Sequence, residues 1–136
     1  MKEITLTIND RQVKGKEGDT VLEVCQANGI DVPTLCHLEG LSDVGACRMC
    51  VVEIERERRP VPSCTYPARD GLVVRTHTEQ LERYRRLILE LIFTERNHFC
   101  MFCEQRGTAS YRSWPTAIRW ITCAIPIPFL PCLLTH

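Results

Sequence analysis

An α+β fold is what these 136 residues predict: a small mixed sheet packed on one helix, then an amphipathic helix, then an irregular C-terminal tail. Three observations carry that expectation. Ahead of Thr76 the local signals run strand, strand, helix, cysteine-rich loop, strand, strand. From Thr76 the apolar period changes from that of a sheet to that of a helix. Near Gly107 the composition breaks: all 17 acidic residues lie at or before Glu104, whereas residues 108–136 hold no acid, no lysine, both tryptophans and four of the eight prolines.

Each element has a local reason. Ile4, Leu6 and Ile8 alternate with Thr5 and Thr7, the period of a strand with one buried face. Asn9 and Asp10 then turn the chain into a second strand around Gln12 to Lys14, forming a hairpin. Thr20 and Glu23 are spaced as a capping box for a helix with Val21, Leu22, Val24 and Cys25 facing inward, and Gly29 stops it. Asp31-Val-Pro opens a long loop through three cysteines to an apolar strand over Val51 to Ile54, and Leu72-Val-Val is a further strand. Thr76 with Glu79 forms a second capping box. Leu81, Tyr84, Leu87, Ile88, Leu91 and Ile92 then recur at helical spacing, with Glu79, Glu82, Arg83, Arg85 and Arg86 on the other face. This helix is expected to end in a polar loop, Thr94 to His98.

Size and charge exclude several classes. The chain is long enough for one domain and an appendage, not for two full cores. Seventeen basic against 17 acidic residues leave no net charge, so composition gives no support for nucleic-acid binding. Ile121 to Leu134 is apolar but is interrupted by Pro126, Pro128 and Pro131, and falls short of the about 20 residues needed to span a bilayer. The N-terminus has no apolar stretch and cleavage site of a secretory signal. A cytoplasmic location is expected, peripheral at most to a membrane complex, where clustered cysteines point to metal rather than disulfides. There is no G-x-G-x-x-G, no phosphate loop and no nucleophile-base pair, so no catalytic residue is assigned.

Cys36, Cys47, Cys50 and Cys64 form C-x10-C-x2-C-x13-C. The short gap can place two thiolates on one metal-sulfide unit, and Gly45 and Ala46 let backbone approach closely. Iron with inorganic sulfide needs four such thiolates and little bulk around them. A zinc site with four cysteine ligands, serving a non-redox interaction module, is the alternative, as are buried free thiols. Zinc ribbons, however, usually pair two C-x2-C knuckles, and here only one gap is short. Cys25 reads as core, His37 as a neighbour of the centre rather than a ligand, and Arg56 to Arg59 with Glu55 and Glu57 as a solvated hairpin tip.

The run Pro33-Thr-Leu-Cys36, Gly45-Ala-Cys47-Arg-Met-Cys50-Val-Val-Glu and Pro62-Ser-Cys64-Thr resembles the [2Fe-2S] ferredoxin-like domain of the large iron-sulfur subunit of respiratory complex I. It is more similar still to the small diaphorase subunit of NAD-linked bidirectional [NiFe]-hydrogenases. The resemblance implies a β-grasp fold and one [2Fe-2S] cluster, with Cys36 and Cys47 on one iron and Cys50 and Cys64 on the other. It implies an electron-transfer component of a hydrogenase or NADH dehydrogenase, partnered by a flavin- and NAD-binding subunit. The spacing departs from the C-x4-C-x2-C of plant-type ferredoxins.

The resemblance continues through Phe93-Thr-Glu-Arg-Asn-His98-Phe-Cys100-Met-Phe-Cys103-Glu-Gln-Arg-Gly107, where the family begins a [4Fe-4S] site with one histidine and three cysteines. His98, Cys100 and Cys103 match, but position 109, which should be the third cysteine, is Ala109. A one-nucleotide loss accounts for the break. An original R-G-D-C-E-L-Q written CGG GGG GAC TGC GAG CTA CAG, with one G removed, translates as Arg106-Gly-Thr-Ala-Ser-Tyr-Arg112, the sequence present. The expected organisation is therefore a [2Fe-2S] domain over 1–78, an incomplete [4Fe-4S] domain over 79–107, and an out-of-frame, disordered or aggregation-prone tail over 108–136. A genuine divergent C-terminus is the alternative.

Overall fold

The computed structural model describes residues 3–95 and residue 104. The expected [4Fe-4S] residues His98, Cys100 and Cys103, and the tail over 108–136, lie outside the described residues. In chain order the elements are β1 (Glu3–Ile8), β2 (Arg11–Lys16), α1 (Val21–Ala27), β3 (Val51–Ile54), β4 (Val61–Pro62), β5 (Val73–Arg75) and α2 (Glu79–Thr94). The α+β expectation holds. The five strands make one mixed sheet in the order β2-β1-β5-β3-β4. β1 runs parallel to β5, and the other neighbouring pairs are antiparallel.

The first hairpin follows from its turn. Asn9 and Asp10 both take left-handed backbone, with φ of 49° and 64°. Two consecutive positive φ values make the tight turn whose twist suits a two-residue hairpin, and Asn and Asp are the non-glycine residues that tolerate it best. The register pairs Ile8 with Arg11 and Glu3 with Lys16, longer than the short second strand expected. Ile4, Leu6 and Ile8 are buried while Thr5 faces out, as period two requires.

Helix α1 has the expected capping box: the Glu23 amide donates to Thr20 Oγ1 at 3.3 Å, and the Thr20 amide donates to Glu23 Oε2 at 2.6 Å. Its remaining first-turn amides are taken by distant chain. Val21 N–H donates to the Tyr66 carbonyl at 2.9 Å and Leu22 N–H to the Ser63 carbonyl at 3.1 Å. Val21, Leu22, Val24 and Cys25 are fully buried against the sheet's Leu6, Ile8, Val52 and Val74 in a single core cluster.

Two expectations about the second helix are corrected. Thr76 does not cap it. Thr76 is fully buried, its amide donates to Asn9 Oδ1 at 2.9 Å, and its hydroxyl accepts from Asn9 Nδ2 at 2.7 Å. Thr78 caps α2 instead, accepting from the Leu81 amide at 3.2 Å. The buried stripe also differs from the apolar set. Leu81, Arg85 and Leu89 are buried, at four-residue spacing, whereas Tyr84, Leu87, Leu91 and Ile92 are exposed. Arg85 was expected on the outer face, but the long aliphatic stem of an arginine can take a place in a buried row.

The chain divides into two compact units, residues 1–84 and 85–136. The first holds the sheet, α1 and all four cysteines of the C-x10-C-x2-C-x13-C motif. The described part of the second is the C-terminal half of α2 and residue 104. Among the described residues no helix is long and apolar enough to cross a membrane.

Candidate metal centre

The sheet carries two of the cysteines directly. Cys50 immediately precedes β3 and Cys64 lies two residues beyond β4, so the pairing of Val51 with Pro62 brings them to the same end of one hairpin. Their thiols touch: Cys50 Sγ lies 3.4 Å from Cys64 Sγ, and both residues are buried within the main core. Ser63 locks this end. Its hydroxyl and its amide both donate to the Cys50 carbonyl, at 2.8 and 3.1 Å, while its own carbonyl accepts from α1. The core, the helix N-terminus and the cysteine pair are thus one rigid assembly. Ser63 carries no motif of its own, and its position beside a cysteine expected as a ligand is the only sequence signal that could have singled it out.

The other two cysteines come from the loop. Cys36 and Cys47 are half-buried, and Cys36 is among the groups that act on the Cys47 thiol. The Met49 amide also points at Cys47 Sγ, at 3.4 Å. Arg48 takes left-handed backbone, φ 57°, to turn the chain between Cys47 and Cys50, a conformation that costs a non-glycine residue of order 1 kcal/mol. Gly45, φ 59°, is buried where a Cβ would sit 3.3 Å from Thr65 Cγ2 and 3.5 Å from Pro62 Cγ, so its missing side chain lets the loop close onto the β4 end. His37 is not drawn to the thiols. Its Nδ1 pairs with Asp43 Oδ1 at 2.8 Å, closing the loop on itself.

The electrostatics of Cys47 and Cys64 differ. Burial works against ionising Cys47, but amides of Met49, Cys36 and Leu35 and the Cys36 thiol outweigh it and hold its thiol below the ordinary value. Burial, the Cys50 thiol and the charges of Cys50, Asp43 and Cys36 push Cys64 up to about 12. The Cys64 thiol gives up its proton readily only in exchange for a cation.

Cys50 and Cys64 thus form a close thiol pair in the core, while Cys36 and Cys47 stand at the two ends of the loop that leads to it. Among the described residues, no three His, Cys, Asp or Glu side chains converge as the ligands of one ion. Four thiols, one of them met by a backbone amide, would suit a group of two irons bridged by sulfide. They fit a single tetrahedral zinc less well. Cys25, fully buried on α1, stands apart from the centre, and burial alone raises its thiol to about 11. It is the core residue expected. The hairpin tip from Glu55 to Arg59 is exposed, also as expected, and lines with Arg75 and Gln80 a cleft of about 280 Å³ away from the thiols.

A mixed sheet packed on one helix, with two thiols paired at the end of the β3–β4 hairpin and two more in the loop before it, is the arrangement of an iron-sulfur protein of the ferredoxin-like class. Residues 1–79 match the family model of a 2Fe-2S iron-sulfur cluster binding domain, and the chain belongs to that family. It is 38% identical over 104 residues to NADPH-Fe(3+) oxidoreductase subunit alpha of Geobacter sulfurreducens, covering 76% of this chain and 12% of that protein. It is 38% identical over 112 residues to NADP-reducing hydrogenase subunit HndD of Solidesulfovibrio fructosivorans, covering 79% and 19%. It is 33% identical over 105 residues to the mitochondrial NADH-ubiquinone oxidoreductase 78 kDa subunit of Neurospora crassa, covering 77% and 14%. Among solved structures it is similar to the NAD+-reducing [NiFe]-hydrogenase in its H2-reduced state, with a TM-score of 0.70 and 41% identity, over 75% of this chain and 43% of that one. The resemblance read from the cysteine runs is borne out. The chain spans less than a fifth of the length of these curated relatives.

Proposed function

We propose that the chain is an iron-sulfur electron-transfer subunit that relays single electrons between an NAD(H)-oxidising flavoprotein subunit and further clusters of a hydrogenase or NADH dehydrogenase. The observation that carries this reading is the Cys50–Cys64 thiol pair held in the core, with Cys36 and Cys47 in the adjoining loop, in a chain of the 2Fe-2S family. Cys36 and Cys47 would hold one iron, Cys50 and Cys64 the other. A bound [2Fe-2S] group supplies a one-electron step: one electron enters, the same electron leaves, and no proton or atom is transferred. The protein's part is to hold the thiolates, aim amides at the sulfur of Cys47, and bury the inner pair. Those three features would set the geometry of the bound group and tune its potential.

The relatives are named as subunits of oxidoreductases, which supports a multi-subunit setting. A cytoplasmic location goes with that setting. On the same reading residues 1–78 form the [2Fe-2S] domain. His98, Cys100 and Cys103 would be three ligands of a [4Fe-4S] site left incomplete by Ala109. Protein purified without oxygen should show the visible absorption of an iron-sulfide group, a reduced-state electron paramagnetic resonance signal, and two irons with two sulfides per chain. A colourless protein carrying zinc would overturn the reading in favour of a non-redox, zinc-stabilised module.

A further inference from the structure

Cys50 and Cys64 are free thiols whose sulfurs already meet. Their Sγ atoms lie 3.4 Å apart, and each residue is only 1% exposed. The ties that hold the pair there involve no metal. Val51 pairs with Pro62 in the β3–β4 hairpin, the Ser63 hydroxyl and amide both donate to the Cys50 carbonyl at 2.8 and 3.1 Å, and the Leu22 amide of α1 donates to the Ser63 carbonyl at 3.1 Å. Removing a metal group breaks none of these bonds, so the two sulfurs stay in contact in the metal-free chain. A disulfide needs its sulfurs about 2 Å apart. A turn about the two Cα–Cβ bonds covers the difference.

We propose that Cys50 and Cys64 form a redox switch on loading of the metal group: in the metal-free chain hydrogen peroxide joins them in a disulfide that withholds two of the four ligands, and a dithiol reductant frees them again. The proposal rests on the reading of Cys36, Cys47, Cys50 and Cys64 as the ligands of a [2Fe-2S] group. The chemistry balances in two steps. One thiol sulfur attacks peroxide, the O–O bond breaks, and a sulfenic acid and one water result. The neighbouring thiol sulfur then displaces the sulfenic oxygen as a second water, and the S–S bond forms. Two electrons pass from the sulfurs to peroxide, and both thiol protons end in water. Burial shapes each step. Peroxide is small enough to reach a sulfur in the core, where a bulky disulfide such as oxidised glutathione is kept out, and restricted access makes the first step slow. Contact makes the second step fast, ahead of further oxidation to the irreversible sulfinic acid. The new bond also closes the β3–β4 hairpin covalently and so constrains the unfolded chain.

The test uses the full chain, stripped of metal by a chelator in the presence of dithiothreitol and then freed of both. It is exposed to hydrogen peroxide, the remaining thiols are alkylated, and the product is digested with trypsin, which cuts after Arg48, Arg56, Arg58 and Arg69. A Cys50–Cys64 bond then joins peptides 49–56 and 59–69, lighter than their sum by two hydrogens, whereas Cys36 and Cys47 share peptide 17–48. The expected result is that bond as the main product, a raised thermal midpoint, and uptake of iron and sulfide lowered about tenfold or more and restored by dithiothreitol. Cys36→Ser and Cys47→Ser should still form the bond, and Cys25→Ala should behave as the parent. In concentrated urea, where the contact is lost, pairing should scatter among the cysteines. Three outcomes would overturn the switch and leave the electron-transfer reading intact: chiefly another pair in the folded chain, the same products with and without urea, or uptake that does not follow the mapped bond. A fully reduced chain that takes up no iron and sulfide would remove the ligand reading, and the switch with it.

Discussion

Cys64 and Cys25 are both buried thiols pushed far above their ordinary range, to about 12 and about 11, yet their surroundings assign them opposite roles. Cys64 lies 3.4 Å from a second thiol, whereas burial alone acts on Cys25. Cys47→Ser and Cys64→Ser should each bleach the visible absorption and lower the thermal midpoint, because the metal group also staples a long loop. Unchanged iron and sulfide in either variant would remove the ligand assignment. Cys25→Ala should keep the full iron and sulfide content and lose only packing, about 1 kcal/mol in denaturant unfolding. The pH dependence follows from the same residue. A thiol whose folded value is raised favours the fold below the unfolded value of 9.0, and that contribution is lost as pH rises through about 11. Stability should therefore decline across that alkaline window in the parent and decline less in Cys25→Ala, as measured by unfolding at a series of pH values.

At the scale of elements, the β3–β4 hairpin decides where the inner cysteines meet, and a single serine ties it to α1. Ser63→Ala removes the hydroxyl that donates to the Cys50 carbonyl, although the Ser63 amide still reaches that oxygen. The expected cost is about 1 kcal/mol, with faster loss of iron to a chelator and no change in the spectrum of protein still loaded. A chelation rate equal to the parent's would show that the hairpin needs no such tie. The same scale explains why α2 starts where it does. Thr76 and Thr78 are both able to cap a helix, but Asn9, 67 residues earlier, takes both the hydroxyl and the amide of Thr76. Thr78 is left to cap, and its hydroxyl donates in turn to Glu53 on β3 at 2.8 Å.

For the whole molecule the proposed reading gives an expected stoichiometry of two irons per chain, not six, since a [4Fe-4S] site on His98, Cys100 and Cys103 would lack its third cysteine, position 109 being Ala109. A chain ending after Gly107 should keep the [2Fe-2S] spectrum, because all four cysteines proposed as ligands, and the core beneath them, lie before residue 85. Loss of the visible spectrum on that truncation would show that residues 108–136 support the centre. What the sequence determined by itself is local. The Asn9-Asp10 turn, the Thr20–Glu23 box, the alternation of Ile4, Leu6 and Ile8 and the inward face of α1 were legible because each is set by residues within one turn or one strand of each other. The spacing of Cys36, Cys47, Cys50 and Cys64 carried the family. What only tertiary structure decided depends on residues far apart in the chain. The two-residue strand β4 is too short to show a period and exists because β3 pairs with it. The buried row Leu81, Arg85 and Leu89 was not the most apolar row of α2. The meeting of Cys50 and Cys64 inside the core, with Cys36 and Cys47 left in the loop, emerged when the hairpin register and the turn at Arg48 set their directions. Spacing shows that four cysteines are available, and packing settles which of them are close in the core and which stay half-buried in a loop.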